Sequence, residues 1–399
     1  MTAAVGAVRE VRAATRATYV AFIGAGLPIA SWASRIPQIR DGLGLTASEL
    51  GLLLLSIAAG SIVALPLTGH IVTRFGSRRT VTAMAALLGV SLSIAAVGYR
   101  FGVLPVAAGL ALFGFANGAW DVAMNVQGAV VERRLGRAIM PRFHAGYSVG
   151  TVAGALAGSA AVALNVPVTA HLVVVALLVA ATVIVAVRAF VPDDSDETAP
   201  VPDQETAGSG LRQALTAWSE PRTLLIGVFV LAFAFTEGTG IDWINVAVID
   251  DYGAPATVGT LAFAVFLAAM TIGRWFGPRL LDQYGRVLVL RVLAVCGLAG
   301  LALFVFGRHP VVAFAGVLLW GVGASLGFPV GMSAASDDPA RAPARVSVVA
   351  SIGYCAFLSG PPLIGFLGNQ VTVRTALLAV AVLLIVAISI AGAIRPLRR

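Results

Sequence analysis

Three acidic residues lie inside long apolar stretches of the chain, whereas the rest of its nineteen acids fall in polar segments: Asp121, Glu237 and Asp242. If these stretches cross a membrane, an ionised carboxylate near a helix centre costs roughly 3 kcal/mol on insertion scales. Each acid must therefore face water, pair with a base or take up a proton. All three are accordingly candidates for proton coupling.

Asn117 and Asn125 flank Asp121 at intervals of four residues, which places the three side chains on one face of a helix. Such a polar face can bind a polar solute, with Asp121 as the protonatable group and the asparagines as hydrogen-bonding neighbours. Alternatively, it can form a buried hydrogen-bond network between helices without touching a solute. We favour the solute-binding interpretation.

The stretch around Glu237 has two glycines between Glu237 and Asp242, with Asn245 close behind. On an unbroken helix, side chains five residues apart point about 140° away from each other. Because glycines permit local unwinding where the backbone lines a cavity, we expect a kink that lets both acids reach one. Glu237 would be a second proton or substrate group and Asn245 a solute contact. Asp242 either shares the proton role or pairs at an outer gate, with Arg35 as the candidate partner.

Several aromatic and basic residues near the ends of the apolar stretches are further candidates. Because histidine as a residue type titrates near neutral pH, His144 is a candidate proton relay and, with Tyr147, a predicted solute contact; capping or snorkelling is the alternative for His144. Trp32 and Trp243 either stack on a solute or belong to the interfacial tryptophan belts of membrane proteins. Arg274 is expected to snorkel to the membrane surface.

The composition explains why these residues must sit in membrane helices. Of the 399 residues, 58% are hydrophobic and 12% are charged, against about half and a quarter in soluble domains. A bilayer needs about 20 apolar residues for each helical crossing, so we predict an all-α integral membrane protein with twelve spans. The spans lie near residues 17–36, 48–67, 80–98, 103–131, 143–164, 168–190, 224–248, 258–276, 288–306, 311–334, 346–367 and 371–394.

The distribution of arginine sets the predicted orientation, since cytoplasmic loops are enriched in positive charge. With both termini cytoplasmic, 22 of the 27 basic residues, all arginine, lie on the cytoplasmic side. We predict an N-terminal six-helix half over 1–190, an acidic cytoplasmic linker over 191–220 and a C-terminal six-helix half over 221–399. The linker is most simply a flexible tether ending in a short amphipathic segment, residues 211–218. A regulatory docking segment is the alternative.

The two sets of six spans also resemble each other, because Gly146-Tyr147 recurs as Gly353-Tyr354, 207 residues further on. Internal six-helix repeats are typical of transporters, which bind their solute near the middle of the membrane where the repeats meet. We therefore expect a solute cavity between the halves.

The connection between the second and third spans reads GHIVTRFGSRR, residues 69–79. It is similar to the signature loop of the major facilitator superfamily: a glycine, three residues, an aspartate, a basic residue, any residue, a glycine, any residue and further basic residues. A degenerate second copy, PRLLDQYGR, occupies residues 278–286 in the second half. Thr73 stands at the aspartate position of the first copy, so that loop is expected to lack one ion pair.

The resemblance implies a fold of two pseudo-symmetric six-helix bundles and transport by alternating access. It also implies that both loops act in gating, whereas the alternative is that their arginines only fix the topology. The gating candidates are Gly69, Arg74, Gly76, Arg78, Arg79, Asp282, Gly285 and Arg286.

The segment NGAWDVAMN, residues 117–125, resembles the fourth span of the fucose-permease branch of that superfamily. There an acid followed four residues later by an asparagine contributes to sugar binding and proton coupling. The resemblance assigns the proton to Asp121 and a hydrogen-bonding role to Asn125. It favours proton-coupled uptake of a sugar-like metabolite, as does the absence of the span-4 arginine and span-5 Gly-Pro motif usual in drug–proton antiporters.

Other functions fit the sequence less well. Without lysine the chain has no Walker-type ATP-binding loop. Its histidines and cysteines form no metal-ligand pattern, and its arginines form no nucleic-acid-binding domain. We expect no enzyme activity, cofactor or metal; the predicted partners are a small solute, protons and membrane lipid, with the chain acting as a monomer in a bacterial cell membrane. A proton-coupled exporter and, less favoured, a membrane sensor are the alternatives.

Overall fold

The structure is a computed structural model that describes residues 2–136, 139–193, 216–338 and 341–397. These ranges contain helices and short helical turns and no β-strand. The helices are α1 Thr2–Ala33, α2 Ile36–Leu43, α3 Ala47–Gly98, α4 Val103–Leu135, α5 Met140–Ala163, α6 Val168–Ala186, α7 Pro221–Asp250, α8 Ala256–Tyr284, α9 Arg286–Phe306, α10 Pro310–Ala324, α11 Gly327–Ala335, α12 Ala342–Gln370, α13 Val373–Ala376 and α14 Leu378–Ile390.

The number of membrane spans agrees with the twelve that the sequence predicts. In the described part of the chain, ten helices are long and apolar enough to cross a membrane, and the pair formed by α1 and α2, bent by 42°, makes an eleventh. The 52-residue helix α3 leaves helical geometry at Gly76 and so supplies both the second and the third predicted spans. The tenth span is interrupted between α10 and α11.

The chain divides into two compact units, Met1–Asp196 and Glu197–Arg399. The division falls within the predicted linker, most of which lies outside the described residues, as does most of the amphipathic segment at 211–218. The same pairing of helices occurs in each unit: α1 packs along α5 in the first unit, and α7 packs along α12 in the second. These are spans 1 and 5 and spans 7 and 11, so the repeat suggested by the sequence extends to helix packing.

Candidate functional site

Asp121 lies near the middle of α4 with an exposed side chain. Asn125 Nδ2 donates to the Asp121 backbone oxygen at 2.8 Å and to its carboxylate Oδ1 at 3.3 Å. Among the described residues, no basic side chain forms an ion pair with Asp121. The structure thus joins Asp121 to Asn125, while the third member of the polar face, Asn117, holds its buried Oδ1 without a hydrogen bond.

Glu237 is bound to a base, in contrast to Asp121. Arg274 Nη2, from α8, donates to both carboxylate oxygens of Glu237 at 2.7 and 2.8 Å. Arg274 Nε also donates to the Ser325 carbonyl oxygen at 3.2 Å, where the break between α10 and α11 leaves that group outside the helical ladder. The expectation that Arg274 snorkels to the surface is therefore wrong, because its guanidinium neutralises an acid of the neighbouring helix.

The helix around Glu237 does not unwind, so the predicted kink is wrong as well. Helix α7 is continuous across Gly238 and Gly240. A Cβ atom at Gly240 would lie 2.4 Å from Phe266 Cζ of α8. The glycine therefore serves close helix packing, and on this unbroken helix Glu237 and Asp242 point in different directions.

Asp242 is half-buried and forms no ion pair with any described residue. Arg35, its predicted outer-gate partner, is buried in the N-terminal half. Arg35 Nε donates to His171 Nδ1 at 3.0 Å and its Nη2 donates to the Val166 carbonyl oxygen at 3.1 Å. Asp242 thus remains a candidate for proton binding, whereas the bonds of Arg35 fasten helices of its own half together.

Three predicted solute contacts belong instead to the packed interior of the two units. Trp32 is 2% exposed, and Trp243 and Asn245 are fully buried. The indole nitrogens of both tryptophans have no hydrogen-bond partner, so these rings lie neither at a polar interface nor on an open surface. Asn245 packs against the backbone of α8, since a Cβ atom at Gly259 would lie 2.5 Å from its Oδ1. The sequence could not predict this burial, because the spacing of residues along a helix does not show which face of that helix is covered by its neighbours.

Two other predicted contacts remain accessible. His144, near the start of α5, is exposed and meets the Phe22 ring edge-on with centroids 5.1 Å apart. Tyr147, one turn further along α5, is half-buried. Both keep their place as candidates for solute contact.

The glycines of the two signature loops adopt the same backbone conformation. Gly76 has φ 79° and ψ 158°, and Gly285 has φ 77° and ψ 159°, a region that only glycine adopts readily. Each therefore turns the chain sharply before the next helix begins. Gly69, in contrast, lies inside the helical part of α3, and Thr73 Oγ1 donates to its carbonyl oxygen at 2.9 Å.

Apart from Arg286, the charged residues of the signature loops form no ion pair within the described ranges. Arg78 and Arg79 are exposed and form no ion pair with a described residue, and Arg74 lies over the Phe75 ring at 5.3 Å. Asp282 is likewise exposed and unpaired within the described ranges. Arg74, Arg78 and Arg79 of the first loop therefore meet no acidic side chain within the described part of their unit.

Two acids that sequence reasoning missed meet the turns instead. In the C-terminal half, Asp337 accepts hydrogen bonds from Arg286 Nη1 at 2.7 Å and Arg222 Nη2 at 2.9 Å. In the N-terminal half, Asp193 accepts from the Ser77 backbone nitrogen at 2.5 Å and from its hydroxyl at 2.6 Å. No local sequence signal could have found these pairs, because the partners are 51 to 116 residues apart.

The sequence analysis also did not identify a stripe of four polar residues on α12, although their spacing of four residues is visible in the sequence. All four side chains are exposed, and three of them donate to the carbonyl four residues earlier. Since the hydroxyls of Ser351 and Ser359 and the thiol of Cys355 are satisfied by their own helix, they add polar surface that is both accessible and hydrogen-bonded. The stripe consists of Ser347, Ser351, Cys355 and Ser359.

Within the described ranges, no three His, Cys, Asp or Glu side chains are grouped in a way that could hold a metal ion. Two units of repeated helix pairing, spans long enough for a bilayer and ionisable groups inside those spans define a multi-pass membrane transporter. Residues 17–356 match the Major Facilitator Superfamily, and the chain belongs to that superfamily. It is therefore a transporter and not an enzyme, and the predicted twelve-helix fold is confirmed.

Its relatives and structural neighbours agree with this assignment. An uncharacterized MFS-type transporter of Yersinia pestis is 32% identical over 94% of both chains. The membrane protein MosC of Rhizobium meliloti is 29% identical, covering 88% of this chain and 83% of its own.

Among solved structures, the nucleoside transporter NupG gives a TM-score of 0.72, covering 96% of this chain and 98% of its own. The D-xylose-proton symporter gives 0.70, covering 96% and 97%. The E. coli fucose:proton symporter FucP gives 0.63, covering 94% and 97%. At 14% identity these three likenesses concern the fold alone.

Proposed function

We propose that this transporter moves a small polar, sugar-like solute together with protons, and that Asp121 carries the proton. The observation that supports this most strongly is the environment of Asp121. It is an exposed carboxylate in the middle of a spanning helix, and its side-chain partner is the neutral amide of Asn125. A lone carboxylate at this depth is costly when ionised and inexpensive when protonated, which suits a group that must gain and lose a proton during transport.

The charge partner of Glu237 indicates a different role for this acid. Its charge is balanced by Arg274, so taking up a proton would leave an unpaired guanidinium inside the membrane. Glu237 and Arg274 are therefore proposed as a fixed pair that shapes the site, and Asp242 as the second candidate for a proton group. Solutes rich in hydroxyl groups, such as the nucleosides, xylose and fucose in the names of the neighbouring transporters, can hydrogen-bond to the amide of Asn125 beside Asp121 on α4.

A proton gradient is sufficient to drive such transport. One elementary charge crossing 100 mV releases about 2.3 kcal/mol, which corresponds to roughly a fiftyfold accumulation of a neutral solute. One proton per transport cycle would therefore support useful uptake.

The first experiment identifies a solute by thermal unfolding of the purified protein with D-xylose, L-fucose and uridine, because a ligand that binds the folded state raises the melting temperature. The protein is then reconstituted in liposomes loaded with a pH-sensitive dye, and that solute is added outside. Symport acidifies the lumen as solute enters, whichever way the protein is inserted. A lumen that becomes alkaline would instead establish a proton-coupled antiporter, which is the alternative.

Asp121→Asn tests the assignment of the proton. Because asparagine resembles a permanently protonated aspartate, the variant is expected to exchange labelled for unlabelled solute while solute-driven acidification falls at least about tenfold. Asp41→Asn makes the same change at an exposed acid paired with its neighbour Arg40 and is expected to behave as wild type. Normal acidification by Asp121→Asn would reject Asp121 as the proton carrier.

A further inference from the structure

The first signature turn is met by an acid from outside the signature loop. Position 73 holds threonine, whose hydroxyl donates to the Gly69 carbonyl within the preceding helix. The carboxylate that meets the turn belongs to Asp193, which follows the sixth span. The loop and this acid are therefore far apart in the sequence and adjacent in the fold.

The contact has the geometry of a helix cap. After Gly76 the helix begins again at Ser77, where the first backbone N–H groups have no partner within the helix. Asp193 Oδ2 accepts from the Ser77 nitrogen at 2.5 Å and Oδ1 accepts from the Ser77 hydroxyl at 2.6 Å. Both carboxylate oxygens are thus used in short charge-assisted bonds, and the negative charge lies at the positive end of the helix dipole.

The two residues before Asp193 are hydrogen-bonded to side chains of α4. Gln127 of α4 is fully buried, and its amide meets the Val191 backbone nitrogen and oxygen at 3.1 Å each in the orientation that satisfies both. Arg134 Nη2, near the end of α4, donates to the Pro192 carbonyl oxygen at 3.1 Å. Residues 191–193, called the linker strap below, are therefore bound at three consecutive positions.

From these contacts we propose that the linker strap is a positioning element of the first signature turn, with Asp193 as its anchoring residue. It holds the restart of α3 against the end of α4, so the beginning of the linker is part of the gating machinery of the N-terminal half. This role goes beyond a tether between the halves. It rests on the proposed function only in that the turn acts during transport.

The contact is tested by limited trypsin digestion of the full-length purified protein. Because the chain has no lysine, trypsin cuts only after arginine, and Arg78 and Arg79 lie directly after the capped residue. Cleavage within a helix requires local opening, so Asp193→Ala should speed cleavage there about fivefold, as loss of a helix cap predicts. Cleavage after Arg279, in the equivalent loop of the C-terminal half, is the internal reference and should not change.

Two further variants sharpen the result. Asp193→Asn keeps one oxygen that can accept from Ser77, so its cleavage rate should stay within about twofold of wild type. Asp41→Ala removes another acid of the same half and should leave cleavage after Arg78 and Arg79 unchanged. Equal rates in wild type and Asp193→Ala, or equally fast cleavage in the Ala and Asn variants, would overturn the proposal.

Transport provides the functional measurement. A positioning residue that does not touch the solute should lower the maximal exchange rate of Asp193→Ala, by about threefold or more, and leave the apparent KM within about twofold. A raised KM with an unchanged maximal rate would contradict the positioning role. The digestion needs no transport substrate. It therefore tests the role of the linker strap independently of the proposed transport function.

Discussion

The two halves place an acid inside the membrane in opposite electrostatic settings. Asp121 in the N-terminal half is exposed, and the neutral side chain of Asn125 is its partner. Glu237 in the C-terminal half is joined to Arg274 through both carboxylate oxygens. Similar bundles can therefore hold one acid that forms no ion pair with a described residue and one whose charge is balanced by an arginine.

The two signature turns, at Gly76 and Gly285, also differ in their charged partners. Their glycines share one backbone conformation, but the acid that meets each turn comes from a different place. Asp193 accepts hydrogen bonds from Ser77 at a helix start in the first half, whereas Asp337 joins two arginines, Arg222 and Arg286, in the second. The repeated backbone is common to both halves, and the charge arrangement built on it is particular to each.

Breaking the pair in the C-terminal half should have the largest effect on stability. Glu237→Gln leaves Arg274 unpaired, and the cost is up to about 3–5 kcal/mol, the range for a fully buried pair, since 27% and 17% of the two side chains are exposed. The melting temperature of the purified protein should therefore fall by roughly 10 °C. In the double variant Glu237→Gln/Arg274→Gln most of this loss should be recovered. If the double variant is as unstable as the sum of the two single variants, the pair is not coupled.

The turns should show the next largest effect. Gly76→Ala and Gly285→Ala each place a side chain in a backbone region that costs about 1–3 kcal/mol for residues other than glycine. A Cβ atom at Gly76 would also lie 3.3 Å from Asp193 Oδ2, whereas nothing lies within 4 Å at Gly285. Unfolding in denaturant should therefore show Gly76→Ala as the less stable variant. The reverse order would argue against the capping contact.

Asp121→Asn should have little effect on the same stability measurement, unlike its effect on proton movement. Because no ion pair of the described residues is broken, the melting temperature should stay within about 2 °C of wild type or rise, since a lone carboxylate is removed from the membrane. A fall as large as that of Glu237→Gln would remove the contrast between the halves.

The smallest expected effect concerns Glu220, which lies just before α7. Its hydrogen bond from Arg345 Nε, 2.6 Å long, lowers the pKa of Glu220 below its usual range. The ionised Glu220 therefore stabilises the folded protein fully at pH values above the pKa of glutamate in the unfolded chain, about 4.3. This contribution is lost as the pH falls through the lower pKa of Glu220 in the folded protein. Melting temperatures from pH 7 to pH 3 should decline less steeply in Glu220→Gln than in Glu10→Gln, a matched change at an exposed acid.

Much of the fold was determined by the sequence alone. Apolar runs of sufficient length and their number gave the twelve helices, because a bilayer admits few other structures. The glycines at 76 and 285 predicted tight turns, and both have the positive φ that glycine permits. The four-residue spacing placed Asn125 beside Asp121 because that contact lies within one helix.

Contacts between helices were decided only by the tertiary structure. Arg274 was expected at the membrane surface, yet it pairs with Glu237, 37 residues away. Trp32, Trp243 and Asn245 were expected to meet a solute, yet they lie in the packed interior. The physical reason is that helical periodicity fixes which residues share a face of one helix, whereas the group opposite that face depends on how separate helices pack.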